Sequence, residues 1–124
     1  ALFNMEKENT YLKMNPPLRD EEDRAFVFSS RLSGDIDWVE SDHAPHTKED
    51  KEKGKCGIPG FKGTLLLLDA LRENGMSEEN LERIFNTNAA HTFGIDISPL
   101  PLPTNTKERE EIVGSRYPFD PYAL

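Results

Sequence analysis

Cysteine is almost absent: Cys56 stands alone in 124 residues. A single thiol rules out a disulfide within the chain and points to a reducing, cytoplasmic setting. Long apolar runs are missing too. The longest, Leu65 to Leu68, falls far short of the roughly 20 residues that cross a bilayer, so no membrane span is expected, and no signal peptide is visible. Positive charge is in short supply, with 15 Lys and Arg against 23 Asp and Glu and a formal net charge of −8. That balance argues against nucleic acid as a partner, since a phosphate backbone needs clustered cations. The lysines that do gather, from Lys48 to Lys55, are interleaved with Glu49, Asp50 and Glu52, a mixture expected of a solvated loop. Apolar residues make up only 35%, so the core is expected to be small or shared.

The strongest local signal is Ile36 to Thr47, Ile-Asp-Trp-Val-Glu-Ser-Asp-His-Ala-Pro-His-Thr. A β-prone run (Ile36, Trp38, Val39) leads into Asp42, His43 and His46, and Pro45 forces a turn. Groups able to hold a metal or move a proton thus collect where a strand ends. That is where α/β folds keep their catalytic side chains. By strand alternation Asp42 shares a face with Glu40 and Trp38, and an inward Glu40 needs a cationic partner or a proton. The same residues also read as a solvated Asp/His turn after a buried strand.

Ala1 to Met5 is apolar enough for a strand end or a packed lead-in, and Glu6 to Asn9 reads as a polar turn. Thr10 to Met14 is a short strand, stopped by Asn15-Pro16-Pro17. Asp20 caps a helix to about Leu32 with an acidic first turn. Ala25, Phe26, Val27, Phe28 and Leu32 form its buried face, and Gly34 ends it. Gly54, Gly57, Gly60 and Gly63 then recur at every third position. They are too few for collagen and lack the Gly-Lys-Ser/Thr of a phosphate loop. They predict close approach of backbone to a ligand, and a helix from Thr64 to Glu73 offers its positive end to an anion. Gly75 closes that helix. Ser77 caps the next, Glu78 to Phe85, with Leu81, Ile84 and Phe85 inward. Asn88 to Phe93 is a third short helix ended by Gly94, with His91 as a packing or surface residue. From Ser98, prolines 99, 101 and 103 alternate with leucine, which predicts an extended tail over residues 98–124. Strand–helix–strand–helix is a βα repeat. Two units cannot close a sheet, and a (β/α)₈ barrel takes about 250 residues, so residues 1–97 are expected to be one part of a barrel.

Two stretches together carry a family resemblance. Leu12-Lys13-Met14-Asn15-Pro16-Pro17-Leu18-Arg19, followed by Ser41-Asp42-His43-Ala44-Pro45-His46, strongly resembles the end of dihydroorotase, a cyclic-amide hydrolase of the amidohydrolase superfamily. Gly57-Ile58-Pro59-Gly60-Phe61 and Asn88-Ala89-Ala90-His91-Thr92-Phe93-Gly94 fit the same pattern, so the resemblance runs from about Leu2 to Gly94. It implies the C-terminal part of an α/β (β/α)₈ TIM-type barrel, with Thr10–Met14 as strand seven and Ile36–Ser41 as strand eight. It also implies roles. Asp42 is the metal ligand and general acid/base. Asn15 and His46 contact dihydroorotate, His46 through the carboxylate, and Gly57 with Cys56 supplies backbone contacts. One or two zinc ions are the implied cofactor, and dihydroorotate and N-carbamoyl-aspartate of pyrimidine biosynthesis the small-molecule substrates. The implied protein partners are the rest of the barrel, and a second copy or a carbamoyltransferase.

The residue types suit that chemistry. A divalent metal makes hydroxide available near neutral pH for attack on a ring amide. A carboxylate beside it can take the proton and deliver it to the leaving nitrogen. A histidine suits an anionic substrate, and an asparagine offers a donor and an acceptor to a cyclic imide. The family's His-x-His pair, bridging carboxylate and further histidines have no counterpart here and are expected upstream of Ala1. One ligand cannot hold zinc, which usually takes about three or four protein donors, so the chain alone is expected to be inactive. The tail also lacks the strand pattern of the β-sandwich that many amidohydrolases carry. Three other readings stay open: a hydantoinase or allantoinase relative, disfavoured by Asn15; a non-catalytic scaffold for a carbamoyltransferase; and a local zinc site from His43, His46 and Cys56, whose spacing is unusual for paired ligands.

Overall fold

The computed structural model describes residues 9–96, 101–104 and 106–123. The lead-in expected at Ala1–Met5 and most of the Glu6–Asn9 turn lie outside these residues, as do Ser98 and Pro99. Helix α1 (Glu21–Ser33) starts at Asp20, whose side chain accepts from the Asp23 N–H, and stops at Gly34 with φ 86°. Helix α2 (Lys48–Glu52) is capped by Thr47, and α3 spans Phe61–Glu73. Helix α4 (Glu78–Glu82) begins at the Ser77 cap. It continues through a π turn at Arg83–Thr87 into α5 (Asn88–Phe93), which Gly94 closes with φ 64°. Helix α6 is Lys107–Gly114. The caps expected at Asp20, Gly34, Ser77 and Gly94 are in place because each supplies what a helix end lacks, an acceptor for the first N–H groups or a left-handed φ that costs glycine little. Helix α3 is instead capped by Asn74, with the expected Gly75 one residue beyond at φ 89°.

Leu68 and Leu71 of α3 meet Leu81 and Ile84 in the core, with Phe28, Val39, Phe85 and Leu102 packed against them. The i,i+3 spacing within each pair puts both side chains on one helix face. Each fully buried leucine stabilises by roughly 1.5–3 kcal/mol. No helix among the described residues is long and apolar enough to cross a membrane.

Neither expected strand forms among the described residues. Thr10–Leu12 is a 3₁₀ turn. The Asn9 side chain accepts from Tyr11 N at 3.0 Å, while Leu12 N and Lys13 N donate back to Asn9 O and Thr10 O. Local acceptors prevail where no neighbouring chain offers a ladder, because β-propensity is largely a property of the surface a strand packs into. Residues 35–47 run without regular structure. Val39 N donates to Ile84 O at 2.8 Å and Ala44 N to Ile58 O at 3.0 Å, single bonds to a helix and a loop.

Three inferences that depended on the strands change with them. Glu40 is exposed, so water solvates the carboxylate and it needs no partner. Trp38 does not share a face with Asp42; its ring packs against Phe93, centroids 5.6 Å apart. Helix α1 buries no residue. Phe26 is 71% exposed, and Phe28 alone of its expected face reaches the core, because the described residues place no sheet beneath the helix.

The tail is not wholly extended. Its alternating prolines end at Pro103, and the Lys-Glu-Arg-Glu-Glu run that follows consists of good helix formers, with Glu108 and Glu110 in the first turn of α6. Thr106 donates its hydroxyl to Asp69, and Arg72 Nη1 donates to Pro103 O at 3.3 Å. After α6 the chain turns back. Asp120 pairs with Lys62 of α3, and Phe119 meets Tyr11 at 5.1 Å.

Candidate functional site

A cleft of about 490 Å³ opens where the loops after Leu12, around Ser41 and around Cys56 meet the end of the chain. Asn15, Asp42, Cys56 and Gly57 line it together with apolar Met14, Pro16, Leu18 and Ile58. His46, the fifth residue singled out from the sequence, does not. A second cleft of about 380 Å³ lies at the other end of the Ile36–Ser41 segment, beside Arg31, Asp37 and Arg83, and holds none of the five.

Asp42 is exposed and has φ 42°, the left-handed region, where it stands alone among the described non-glycine residues. Aspartate tolerates that region better than most side chains, yet such backbone costs on the order of 1–3 kcal/mol and gathers at functional sites. Here it falls on an acidic residue that lines the cleft.

A lysine holds the loops that bear the other lining residues. Lys51 was expected in a solvated loop, but it is fully buried. Its ammonium donates to the carbonyls of Lys13 at 2.6 Å, Gly57 at 2.8 Å and Lys55 at 3.0 Å, and the Phe119 ring centroid lies 6.0 Å away. These acceptors replace the water that burial removes from the cation. The Lys13 carbonyl belongs to the loop leading to Asn15, and the other two bracket Cys56. One cation thus ties two walls of the cleft, and a bond from Gly57 N to Lys13 O at 3.0 Å adds to it. Nothing in the alternating charges around Lys51 distinguishes it, so the sequence carries no signal for this role.

The two histidines of the Asp42–His46 run are turned to backbone. His46 Nε2 lies 2.9 Å from Cys56 O. A carbonyl oxygen only accepts, so Nε2 carries the proton; Nδ1 faces Asp50 Oδ2 at 3.9 Å. His43 Nδ1 accepts from Gly60 N at 3.1 Å and Phe61 N at 3.4 Å, and its ring stacks on Phe61 at 3.7 Å. His43 therefore caps α3, which begins at Phe61 rather than near Thr64, and occupies the helix end expected to bind an anion. The glycines serve mostly to bring chain against chain. A Cβ on Gly60 would strike Ser41 O, and one on Gly57, at φ 129°, would lie 2.7 Å from Ala44 O. Gly57 also spends its N–H on Lys13 and its carbonyl on Lys51. What this loop offers a ligand is the Cys56 N–H, which has no partner among the described residues, and the exposed thiol.

No protein-family model matches the chain, but curated proteins do. The dihydroorotase of Pyrococcus horikoshii is 44% identical over 85 residues, 68% of this chain and 20% of that protein. That of Lactobacillus gasseri is 39% identical over 97 residues, 73% of this chain and 23% of its own length. That of Pyrococcus furiosus is 39% identical over 90 residues, 72% and 21% of the two chains. The chain is a relative of the dihydroorotases. It spans about a fifth of the length of those it matches.

In this dihydroorotase relative, no group of three or more His, Cys, Asp or Glu among the described residues is arranged to hold a metal ion. The local zinc site from His43, His46 and Cys56 therefore does not form, since both ring nitrogens nearest the backbone are already bonded. Asp42, exposed at the cleft, is a chemically suitable single donor. One cleft residue escaped sequence reasoning altogether: Tyr122, which returns from the end of the chain to line the same space. Burial pushes its phenol above the usual tyrosine value and the Asp120 carboxylate adds to the rise, while the Gly63 N–H opposes it.

Proposed function

We propose that this chain is part of a metal-dependent dihydroorotase that interconverts dihydroorotate and N-carbamoyl-aspartate, residues 1–97 contributing to the (β/α)₈ barrel and 98–124 forming a tail against it. The observation that carries the reading is the convergence of Asn15, Asp42, Cys56 and Gly57 on one cleft from three separate loops. Zinc suits the site with Asp42 as one ligand and the others from the remainder of the barrel; when bound, it supplies Lewis-acid activation of water for attack on the ring amide. Asp42 takes a proton from the attacking water and gives it to the leaving ring nitrogen, so its charge is restored at the end of the cycle. Asn15 pairs its amide with the imide edge of the ring. The Cys56 N–H offers a donor to a substrate oxygen, and His46, anchored through Nε2, meets the carboxylate as the doubly protonated ring, with Nδ1–H as the donor. Such an enzyme works on small molecules in the cytoplasm, with a second copy or a carbamoyltransferase as its protein partner.

The test is turnover of dihydroorotate by the complete enzyme carrying this segment, with and without a chelator. Hydrolysis that chelation abolishes and zinc restores is the expected result. Turnover of a hydantoin or allantoin in preference to dihydroorotate, or no turnover at all by zinc-loaded enzyme, overturns the reading. The isolated 124-residue chain should neither turn over dihydroorotate nor hold stoichiometric zinc.

A further inference from the structure

Tyr122 lies farther from the site residues in sequence than any other lining residue, yet it shares the cleft with Asp42, Asn15 and Gly57. Its placement is built rather than incidental. Lys62 of α3 pairs with Asp120, and the other Asp120 oxygen accepts from the Tyr122 N–H at 3.0 Å, so one carboxylate fixes both the backbone of Tyr122 and the helix it lies on. Gly63 then makes room: a Cβ at that position would collide with the Tyr122 hydroxyl and ring. An alanine there would favour the helix by roughly 1 kcal/mol, so the glycine is accounted for by the tyrosine. The Gly63 N–H, one of the first in α3 and without an acceptor inside the helix, lies by the phenol and holds its pKa down against the effect of burial.

An N–H beside the oxygen can engage only a lone pair, so the hydroxyl hydrogen can still donate. The cleft that Tyr122 shares is lined by apolar Met14, Leu18 and Ile58 as well as by Asn15 and Asp42. We propose that Tyr122 is a specificity-determining residue of this cleft, closing it from the chain end and donating its hydroxyl to an oxygen of an anionic cyclic-amide substrate. The proposal rests on the dihydroorotase reading and deepens it. It assigns the returning tail a part in recognition, with the Lys62–Asp120 pair and Gly63 as the seat that positions the ring.

The experiment compares Tyr122→Phe and Gly63→Ala with wild type in the complete enzyme, reading KM, kcat and thermal midpoint with dihydroorotate. Tyr122→Phe keeps the ring and removes the hydroxyl, the donor hydrogen together with the oxygen that the Gly63 N–H faces. It should raise KM about ten- to a hundred-fold, with kcat within a few-fold and at most a small fall in the midpoint from the lost Gly63 contact. Gly63→Ala should evict the ring and raise KM similarly although the helix itself is favoured. A merely structural Tyr122 predicts the opposite split, a lowered midpoint with KM within two-fold of wild type, and that result overturns the proposal. If wild type turns over dihydroorotate and Tyr122→Phe matches it in KM, the proposal fails alone. If zinc-loaded wild type does not turn it over, the dihydroorotase reading fails first and takes this one with it.

Discussion

The Lys51 ammonium lies 2.6 Å from the carbonyl oxygen of Lys13, 38 residues earlier in the chain. Through that bond and those to Lys55 and Gly57, a charge with no exposure to water joins the loop before Asn15 to the loop around Cys56. The geometry of the cleft depends on a residue that does not line it.

Replacing Lys51 by Met should therefore loosen both loops at once. Buried acceptors left without a donor cost about 1–3 kcal/mol each, less where water reaches them, and we expect a loss on the order of 3 kcal/mol in denaturant unfolding. The Gly57 amide, bonded to Lys13 O, should exchange its proton faster. Lys51→Arg should recover only part, because a planar guanidinium does not fit three carbonyls arranged around an ammonium. A Met variant within about 1 kcal/mol of wild type, near the resolution of denaturant unfolding, would show that water replaces the cation at little cost.

Asp42→Asn tests the proton transfer. Asparagine also tolerates a left-handed φ, and residue 42 is exposed, so stability should be unchanged. The amide cannot accept the water's proton, and kcat in the complete enzyme should fall by about 10²–10⁴-fold. Activity within a few-fold of wild type would assign the proton to another group.

How legible each part was depended on how local its cause is. Asp20, Gly34, Ser77 and Gly94 end helices as expected, because a cap acts within a turn of itself. Leu81 and Ile84 were readable as core from their spacing. Strands at Thr10–Met14 and Ile36–Ser41 were not, because a strand depends on a neighbour and the pattern in one segment does not supply it. Burial of Lys51 was hidden for a related reason: its acceptors are backbone carbonyls, which every residue has and no side-chain pattern reveals. The motif residues Asn15, Asp42 and Gly57 do share a cleft. Tyr122 joins them through Gly63, a position that read only as one of four evenly spaced glycines.

Alkaline pH should undock the tail. Burial, then Asp120, raises the Tyr122 phenol above its ordinary 10.0, and Tyr11 is raised by burial and by its bond to Glu52. A raised value means the folded state keeps the proton longer than the unfolded one. The associated stability is then fully present below about pH 10 and is lost as pH climbs through the raised values. Tyrosinate absorbance should appear late for these two, and the thermal midpoint should drop above about pH 10. In Tyr122→Phe part of that drop should vanish. An equal drop in variant and wild type would place the alkaline transition elsewhere.

His46 offers the sharpest separation of binding from support. Its Nε2 is committed to the Cys56 carbonyl and its Nδ1 lies beside Asp50, so it holds the loop that presents the Cys56 N–H. Removing the ring in the complete enzyme by His46→Ala should leave zinc content intact, since no ligand is lost. It should weaken dihydroorotate by about ten- to a hundred-fold, the worth of a charge-assisted hydrogen bond. The two ways it could do so differ in what they spare. If His46 reads the carboxylate, an analogue without that group should bind wild type and variant alike. If His46 only props the loop, both ligands should weaken by the same factor. We expect the first pattern, measured as affinities of both ligands for both proteins alongside metal analysis. Equal weakening would reduce His46 to a loop anchor, and loss of zinc would make it a ligand.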